Sequence, residues 1–197
     1  MSEIVGAHEQ GSAAWKAARS GCLNASQLFR VMGGSTAGLD AVRKEIRVFR
    51  KTGKTKEIPA NRAMTWGNDH EAQARSSVEM TLGYDFQQVG TIVHDDLFYV
   101  GASPDGLNYE RKQGLELKCP WRGGIHISYV VRRKIPKVYL WQCQAGMFVT
   151  GFDSWIFASF DPRRLADGND TLIHTIKRSE TMIAMMEERL PWFWGTV

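Results

Sequence analysis

SPDGLNYERKQGLELKCP, residues 103–120, is the stretch that decides the fold of this chain. Turn-forming and charged residues dominate its middle, which predicts a turn over residues 108–113. The flanking segments, 101–108 and 114–119, have the length and composition of short strands. The stretch therefore predicts a β-hairpin whose second arm, GLELKC, presents apolar side chains on one of its faces.

Charged side chains meet on the other face of this hairpin. Glu116 and Lys118 are two residues apart, so they lie on the same face of the second arm. Pairing of the arms brings Asp105 near Glu116. Two facing carboxylates repel each other and stay ionised only when a cation joins them. Because Mg²⁺ and Mn²⁺ prefer oxygen ligands, the trio favours a metal site in which Lys118 positions water or stabilises negative charge.

A surface hairpin with an ordinary salt bridge between Lys118 and one of the acids is the alternative. The apolar neighbours on the second arm argue against it, because a buried and unpaired charge cluster is costly. PD followed by ExK resembles the active-site motif of the PD-(D/E)XK nuclease superfamily. The longer pattern SPDGL…GLELKCP, with WGNDHEAQAR upstream, is similar to the λ exonuclease or YqaJ-like viral recombinase family.

This resemblance covers the chain from about Trp15 to Asp161 and implies both a fold and an activity. The implied fold is α/β, with a restriction-endonuclease-like core in which a central mixed β-sheet is flanked by helices. The implied activity is a 5′→3′ exonuclease that degrades one strand of linear double-stranded DNA and leaves a 3′ overhang for recombination. It would depend on Mg²⁺, with Mn²⁺ able to substitute.

The resemblance also assigns roles to individual residues. The catalytic and metal-binding set it implies is Asp105, Glu116, Lys118, Glu71 and the backbone carbonyl of Leu117. The set it implies at the 5′ phosphate of the DNA is Arg19, Ser26, Ser103 and Gln142, with Met64 as an apolar wedge between the strands. Without the resemblance, Glu71 is an ordinary helix acid and Met64 is as easily a core residue.

Elementary chemistry is compatible with the phosphate assignment. A guanidinium such as that of Arg19 can bind phosphate with two hydrogen bonds, and a helix beginning near Ser26 offers backbone N–H groups to an anion. The amide of Gln142 can donate to a phosphate oxygen without adding charge. A solvated arginine and a helix-capping serine are the alternative interpretation.

A strongly basic helix is predicted in the first third of the chain. Val42, Ile46 and Phe49 recur at helical spacing, and cations fill most of the positions between them. Arg43 and Arg47 belong to this basic face, which suits contact with the phosphate backbone of a duplex. A solvated helix surface is the alternative.

Composition limits the class of protein. A chain of 197 residues, 43% of them hydrophobic, suits a single domain over residues 1–197 with a sizeable core. No apolar run approaches the length of a membrane span, and the first residues lack the apolar core of a signal peptide. Three widely spaced cysteines favour neither a disulfide framework nor a four-cysteine cluster, so a reducing cytoplasm is expected. The net charge of +4 fits a polyanionic partner.

Periodicity and turn signals predict the remaining elements. They are helices over residues 12–21, 59–83 and 171–190, a helix that begins after Pro136, and a strand over residues 153–160.

Three functions compete at this point. The first is the recombination exonuclease, the second is an endonuclease of the same fold in repair or restriction, and the third is a nuclease-dead module that binds DNA ends. The resemblance further implies a ring-shaped homotrimer, a single-strand annealing protein as partner, and a phage or prophage gene expressed in the cytoplasm of a bacterial host.

Overall fold

A computed structural model describes residues 4–5 (backbone only), 12, 19, 21–54 and 59–197 of the chain. The helix expected over residues 12–21 lies almost entirely outside the described residues. Within the described ranges, no helix combines the length and the apolar character that crossing a membrane requires.

Strands and helices alternate along the chain. The strands are β1 (Ile4–Val5), β2 (Leu23–Asn24), β3 (Thr91–Val93), β4 (Val100–Ala102), β5 (Gly106–Asn108), β6 (Gln113–Lys118), β7 (Ser154–Phe160) and β8 (Thr171–Lys177). The helices are α1 (Leu28–Met32), α2 (Thr36–Thr52), α3 (Arg62–Leu82), α4 (Gly123–Arg132), α5 (Lys137–Thr150) and α6 (Glu180–Gly195). Short 3₁₀ turns cover Ala25–Gln27 and Pro162–Asp167.

The strands of the described part of the chain form two four-stranded sheets. Their orders are β1–β3–β4–β2 and β5–β6–β7–β8. The pairs β2–β4 and β6–β7 are parallel, and the other neighbours are antiparallel. Helices pack on these strands, with α5 in contact with both sheets. The mixed α/β fold expected from the sequence is therefore confirmed, with the strands divided between two sheets.

The short segment 103–105 carries the chain from one sheet to the other. Pro104 has no backbone N–H with which to continue a strand ladder, whereas the N–H of Asp105 donates to the carbonyl of Leu115 at 3.0 Å. The predicted hairpin is confirmed over β5 and β6. Its first arm, predicted as one strand over residues 101–108, is divided at Pro104.

Strand β6 is buried because it pairs with β5 on one side and with β7 on the other. Leu115 faces Ile156 in the parallel register, and both are fully buried. The indole of Trp155 lies against Gly114 of β6 and Gly146 of α5, where an added Cβ would approach its ring carbons to 2.4 and 2.5 Å. The two glycines therefore leave the space that this large side chain fills.

The helix predicted over residues 171–190 is wrong in its first part. Residues 171–177 form β8, which pairs with β7 along its full length. The sequence TLIHTIK is rich in β-branched residues, which suit a strand, and the neighbouring β7 offers it a complete ladder. Helix α6 begins only after Ser179, whose hydroxyl accepts from the N–H of Met182 at 3.4 Å. It continues past Pro191, and Phe193 near its end is fully buried, so the apolar ending of the chain packs on the body of the domain.

We expect Gly146→Ala to destabilise the protein by about 1–3 kcal/mol, since the added methyl group would overlap the ring of Trp155. Gly67→Ala, in the middle of α3 with no atom within 4 Å of the added Cβ, is the matched control. It should leave stability unchanged or raise it by up to about 1 kcal/mol, because alanine favours helix. Urea unfolding measures both, and equal midpoints for the two variants would contradict the packing described.

Candidate active site

A cleft opens at the Asp105 end of the β5–β6 hairpin. Its polar lining comes from segments far apart in sequence, namely Arg19, Ser26, Ser103, Asp105, Glu116, Lys118 and Gln142. The fold therefore brings together three of the four predicted catalytic side chains and all four residues predicted at the 5′ phosphate. Glu71 lies on α3 beside this cleft and interacts electrostatically with Asp105 and Lys118.

Glu116 is the most deeply buried acid of the cleft, with 3% of its surface exposed. Its Oε1 atom forms an ion pair with Nζ of Lys118 and accepts a hydrogen bond of 2.7 Å from Nε2 of Gln142. The pKa of Glu116 is raised to about 7, with burial as the largest cause, the charge of Asp105 acting in the same direction and Lys118 in the opposite direction. Near neutral pH this carboxyl group is therefore partly protonated.

Asp105 is held by the strand that carries the other two charges. Its Oδ2 atom accepts the backbone N–H of Leu117 at 2.6 Å. Burial raises the pKa of Asp105, although Lys118, the Leu117 hydrogen bond and the guanidinium groups of Arg75 and Arg19 favour the carboxylate. The contact with Leu117 fixes where the side chain points, because that N–H belongs to a paired strand.

Lys118 completes the trio. Burial alone would lower the pKa of its ammonium group, but Glu116 and Asp105 outweigh burial and raise the pKa above its ordinary value. Its Nζ atom also lies 5.1 Å from the ring centre of Tyr139. The lysine is therefore charged at neutral pH, while the pKa values of Asp105 and Glu116 stay raised despite its charge.

Arg75 is a component of the site that the sequence analysis missed. It donates to Oε1 of Glu71 at 3.2 Å and also to the backbone carbonyl of Asp105. The signal was available, because an acid and an arginine four residues apart on a helix are neighbours. Burial raises the pKa of Glu71, the charge of Asp105 raises it further, and Arg75 lowers it.

The donor atoms of this site suit a hard divalent cation. Within the described ranges, no three His, Cys, Asp or Glu side chains come close enough to hold a metal by themselves. Mg²⁺ does not require that, since it usually takes one or two carboxylates and completes its shell with substrate and water. Asp105 and Glu116 provide oxygen donors that burial makes reluctant to carry charge without a cation. The carbonyl of Leu117 and the carboxylate of Glu71 remain predicted ligands.

The phosphate side of the cleft is arranged around Arg19 and two hydroxyl groups. The Arg19 guanidinium lies 3.4 Å from Oγ of Ser26, and Ser103 shares a hydrogen bond of 3.0 Å with Thr91. Burial lowers the pKa of Arg19, while the carboxylates of Glu116 and Asp105 raise it. The amide of Gln142 is directed at Glu116, so in this structure it positions an acid, and its contact with a phosphate stays a prediction.

Three residues predicted to contact DNA do not line this cleft. Met64, near the start of α3, is 44% exposed, which excludes the alternative that it is a core residue. Arg43 and Arg47 lie on α2 as predicted, but their guanidinium groups donate to the hydroxyl and the carbonyl of Thr196 at 2.9 and 2.5 Å. Their contact with DNA stays a prediction, because both also border a groove on the basic face of α2.

Comparison with known proteins finds a family model and solved structures to which this chain is similar. The model of the YqaJ-like viral recombinase domain matches residues 14–153. The crystal structure of the alkaline exonuclease LHK-Exo from Laribacter hongkongensis has a TM-score of 0.86 and 32% sequence identity, covering 94% of this chain and 92% of that one. The same protein in complex with dAMP gives a TM-score of 0.87 at the same identity and coverage.

Two further relatives are more distant or shorter. A phage-related exonuclease from Haemophilus somnus 129PT shares the fold, with a TM-score of 0.70 and 20% identity over 87% of this chain and 91% of that one. The ExoD protein of Escherichia coli (strain K12) is 37% identical over 59 residues, which are 30% of this chain and 66% of ExoD. The family match over most of the chain, and the likeness to LHK-Exo over nearly its full length, lead to one conclusion: the chain belongs to the YqaJ-like viral recombinase domain family.

Proposed function

We propose that this protein is a Mg²⁺-dependent exonuclease that degrades one strand of linear double-stranded DNA from its 5′ end. The coarser class, a nuclease of recombination, follows from the family and from the likeness to LHK-Exo. One observation carries the finer proposal, which is that a single cleft holds the acids and lysine of a hydrolytic site together with an arginine and two hydroxyl groups suited to a phosphate.

Each side chain of the cleft has a role in hydrolysis of a phosphodiester. A divalent cation bound by Asp105 and Glu116 supplies charge neutralisation and a water of lowered pKa. Lys118 orients the attacking water and stabilises negative charge as it develops on the phosphate. Gln142 holds the carboxylate of Glu116 in place, and Arg75 holds that of Glu71. The site therefore needs little reorganisation during the reaction.

Charge balance supports the need for a metal. The site contains three acidic and three basic side chains. The acids are Asp105, Glu116 and Glu71, and the basic residues are Lys118, Arg75 and Arg19. An incoming phosphate adds negative charge to a site that is already balanced. A divalent cation held by Asp105 and Glu116 would offset this charge.

Polarity follows from the phosphate pocket. If Arg19, Ser26 and Ser103 hold the terminal 5′ phosphate, the bond that lies beside the acids is at a fixed position inward from the 5′ end. Each round then leaves a new 5′ phosphate, and the complementary strand remains as a 3′ overhang. The homotrimeric ring, the annealing protein partner and the bacterial cytoplasm as site of action remain proposals that rest on the family alone.

We expect Glu116→Gln to reduce cleavage of linear duplex DNA to background while DNA binding is retained, since the variant keeps the shape of the side chain but loses a charged oxygen donor. Lys118→Ala should slow cleavage by about 10²-fold or more. Glu110→Gln, an exposed acid in the turn of the same hairpin, is the control and should cleave normally. The readout is release of labelled nucleotides with and without Mg²⁺, and full cleavage by Glu116→Gln would refute the assignment.

A covalently closed circular duplex separates the exonuclease from an endonuclease of the same fold. The proposed enzyme should leave the circle intact in Mg²⁺ and degrade it only after a restriction enzyme has linearised it. Cutting of the closed circle would favour the endonuclease.

Removal of the arginine should abolish discrimination between DNA ends. Arg19→Ala should slow cleavage of 5′-phosphorylated ends to the rate seen with 5′-hydroxyl ends, because the guanidinium is the cationic group of the proposed phosphate pocket. Arg30→Ala, which removes an exposed arginine paired with Glu45 on the surface, should keep the preference. Initial rates on the two kinds of end measure this, and an equal loss on both by Arg19→Ala would count against the pocket.

The rate should also depend on the ionisation of Glu116. Its raised pKa of about 7 means that the protonated form dominates below that pH, so kcat/KM at limiting Mg²⁺ should rise as the pH rises through 7. Gln142→Ala removes a hydrogen bond to the charged form, which should raise the pKa and move the rise to higher pH. Identical pH profiles for the two proteins would contradict this coupling.

A further inference from the structure

A cluster of aromatic side chains beside the cleft has no part in the chemistry proposed above. Trp66 lies on α3, and Trp121 follows β6 by three residues. Their ring centres are 5.3 Å apart in an edge-to-face arrangement. The guanidinium of Arg163 lies 4.6 Å from the ring centre of Trp66, and His70 packs on the same indole at 3.8 Å. We refer to Trp66, Trp121 and Arg163 as the tryptophan platform.

Hydrogen bonds to main chain and to a buried acid hold the platform in place. Arg163 binds the buried carboxylate of Asp161 through two nitrogens, at 2.7 and 2.8 Å. The same guanidinium donates to the carbonyls of Trp121 at 3.1 Å and Pro120 at 3.3 Å. The loop that carries Trp121 is thus fixed by one arginine, and a fixed aromatic ring loses little entropy when it binds a ligand.

The position of the platform ties it to the proposed reaction. Trp66 precedes Glu71 by five residues on the same helix, and Trp121 follows Lys118 by three residues. Neither tryptophan lines the pocket that contains Arg19. A group resting on the platform would therefore lie outside the phosphate pocket, beside segments that also carry Glu71 and Lys118.

Exposure distinguishes the platform from ordinary core packing. Trp121 is 42% exposed although its loop is held by hydrogen bonds, so its indole presents a surface to solvent. Bases stack on such aromatic surfaces whatever their sequence, and nearby cations such as Arg163 add attraction for nucleic acid. Arg163 donates to the carbonyl of Trp121, and the exposed Arg122 is the next residue along the chain, so positive charge accompanies the ring and favours a nucleic acid as its ligand.

We propose that the tryptophan platform stacks an unpaired base of the DNA strand that enters the active site, with Trp121 as the contacting residue and Trp66 and Arg163 as its support. The inference rests on the proposed function for its substrate class. Stacking would hold one nucleotide out of the duplex next to the buried acids, and it would not select a particular base.

Equilibrium binding without a metal tests this separately from cleavage. The probe is a fluorescent hairpin duplex with a 5′ phosphate and three unpaired thymidines at the 5′ end, in buffer with EDTA. A second series replaces the base at each of the three positions by an abasic analogue. Trp121→Ala should weaken binding of the intact probe by about five-fold or more, as expected for loss of one stacked base, and Trp121→Phe should restore most of the affinity.

The abasic series decides between stacking and a merely structural role. At one of the three positions, removal of the base should weaken binding to the wild type, and Trp121→Ala should then cause no further loss. Tyr109→Ala is the matched control, since Tyr109 is a 47% exposed aromatic at the opposite end of the hairpin, and it should bind all probes like the wild type.

Two results would overturn the proposal. One is unchanged affinity of Trp121→Ala for the intact probe, and the other is an equal loss on intact and abasic probes at every position. If the equal loss came with a change in molar mass in solution, the exposed ring would instead belong to a contact between copies of the chain. Failure of the wild type to cleave linear DNA in Mg²⁺ would refute the proposed function. The binding result could still be interpreted, because it is measured without a metal.

Discussion

The whole site depends on one interaction, which is the sharing of a single ammonium group by two buried carboxylates. Lys118 pairs directly with Glu116 and acts on Asp105 through space. The charges of both acids raise the pKa of the Lys118 ammonium group. Each acid nevertheless has a raised pKa, because the effect of burial is larger than the opposing effect of the shared cation. The site is balanced in formal charge, yet its cations do not fully compensate the burial of its acids. A divalent metal ion bound by these acids would offset that cost together with the negative charge of an incoming phosphodiester.

The fold explains how such an unfavourable group of charges is tolerated. Strand β6 is anchored by parallel pairing with β7, and Trp155 fills the space left by two glycines beneath it. Glu116 therefore projects from a strand that is paired on both sides, and the N–H of Asp105 donates to the carbonyl of Leu115 on the same strand. Contacts from Leu117 to Asp105 and from Gln142 to Glu116 then fix the side chains themselves. Stability elsewhere in the domain thus maintains a strained electrostatic arrangement at its edge, as expected for a functional site.

Local patterns predicted the hairpin and its charged face, whereas contacts between distant segments could not be read from them. Alternation along GLELKC was enough to place Glu116 and Lys118 on one side, because the period of a strand is fixed by its geometry. The strand over residues 171–177 was missed, since a short segment with mixed periodicity takes its structure from the neighbour it pairs with, and that neighbour was unknown. The engagement of Arg43 with Thr196 was invisible for the same reason, as the two residues are 153 positions apart.

The roles of Gln142 and Arg163 illustrate what a motif leaves out. A motif specifies which residues contact the substrate, whereas the structure shows which residues keep them in place. Gln142 donates to the carboxylate of Glu116, and it does so without altering the net charge of the cleft. Arg163 donates hydrogen bonds to Asp161 and to the loop that carries Trp121, and in this way it holds the tryptophan platform in place. Both residues hold other side chains of the site in place, and groups placed in advance lower the entropic cost of reaching a reactive geometry.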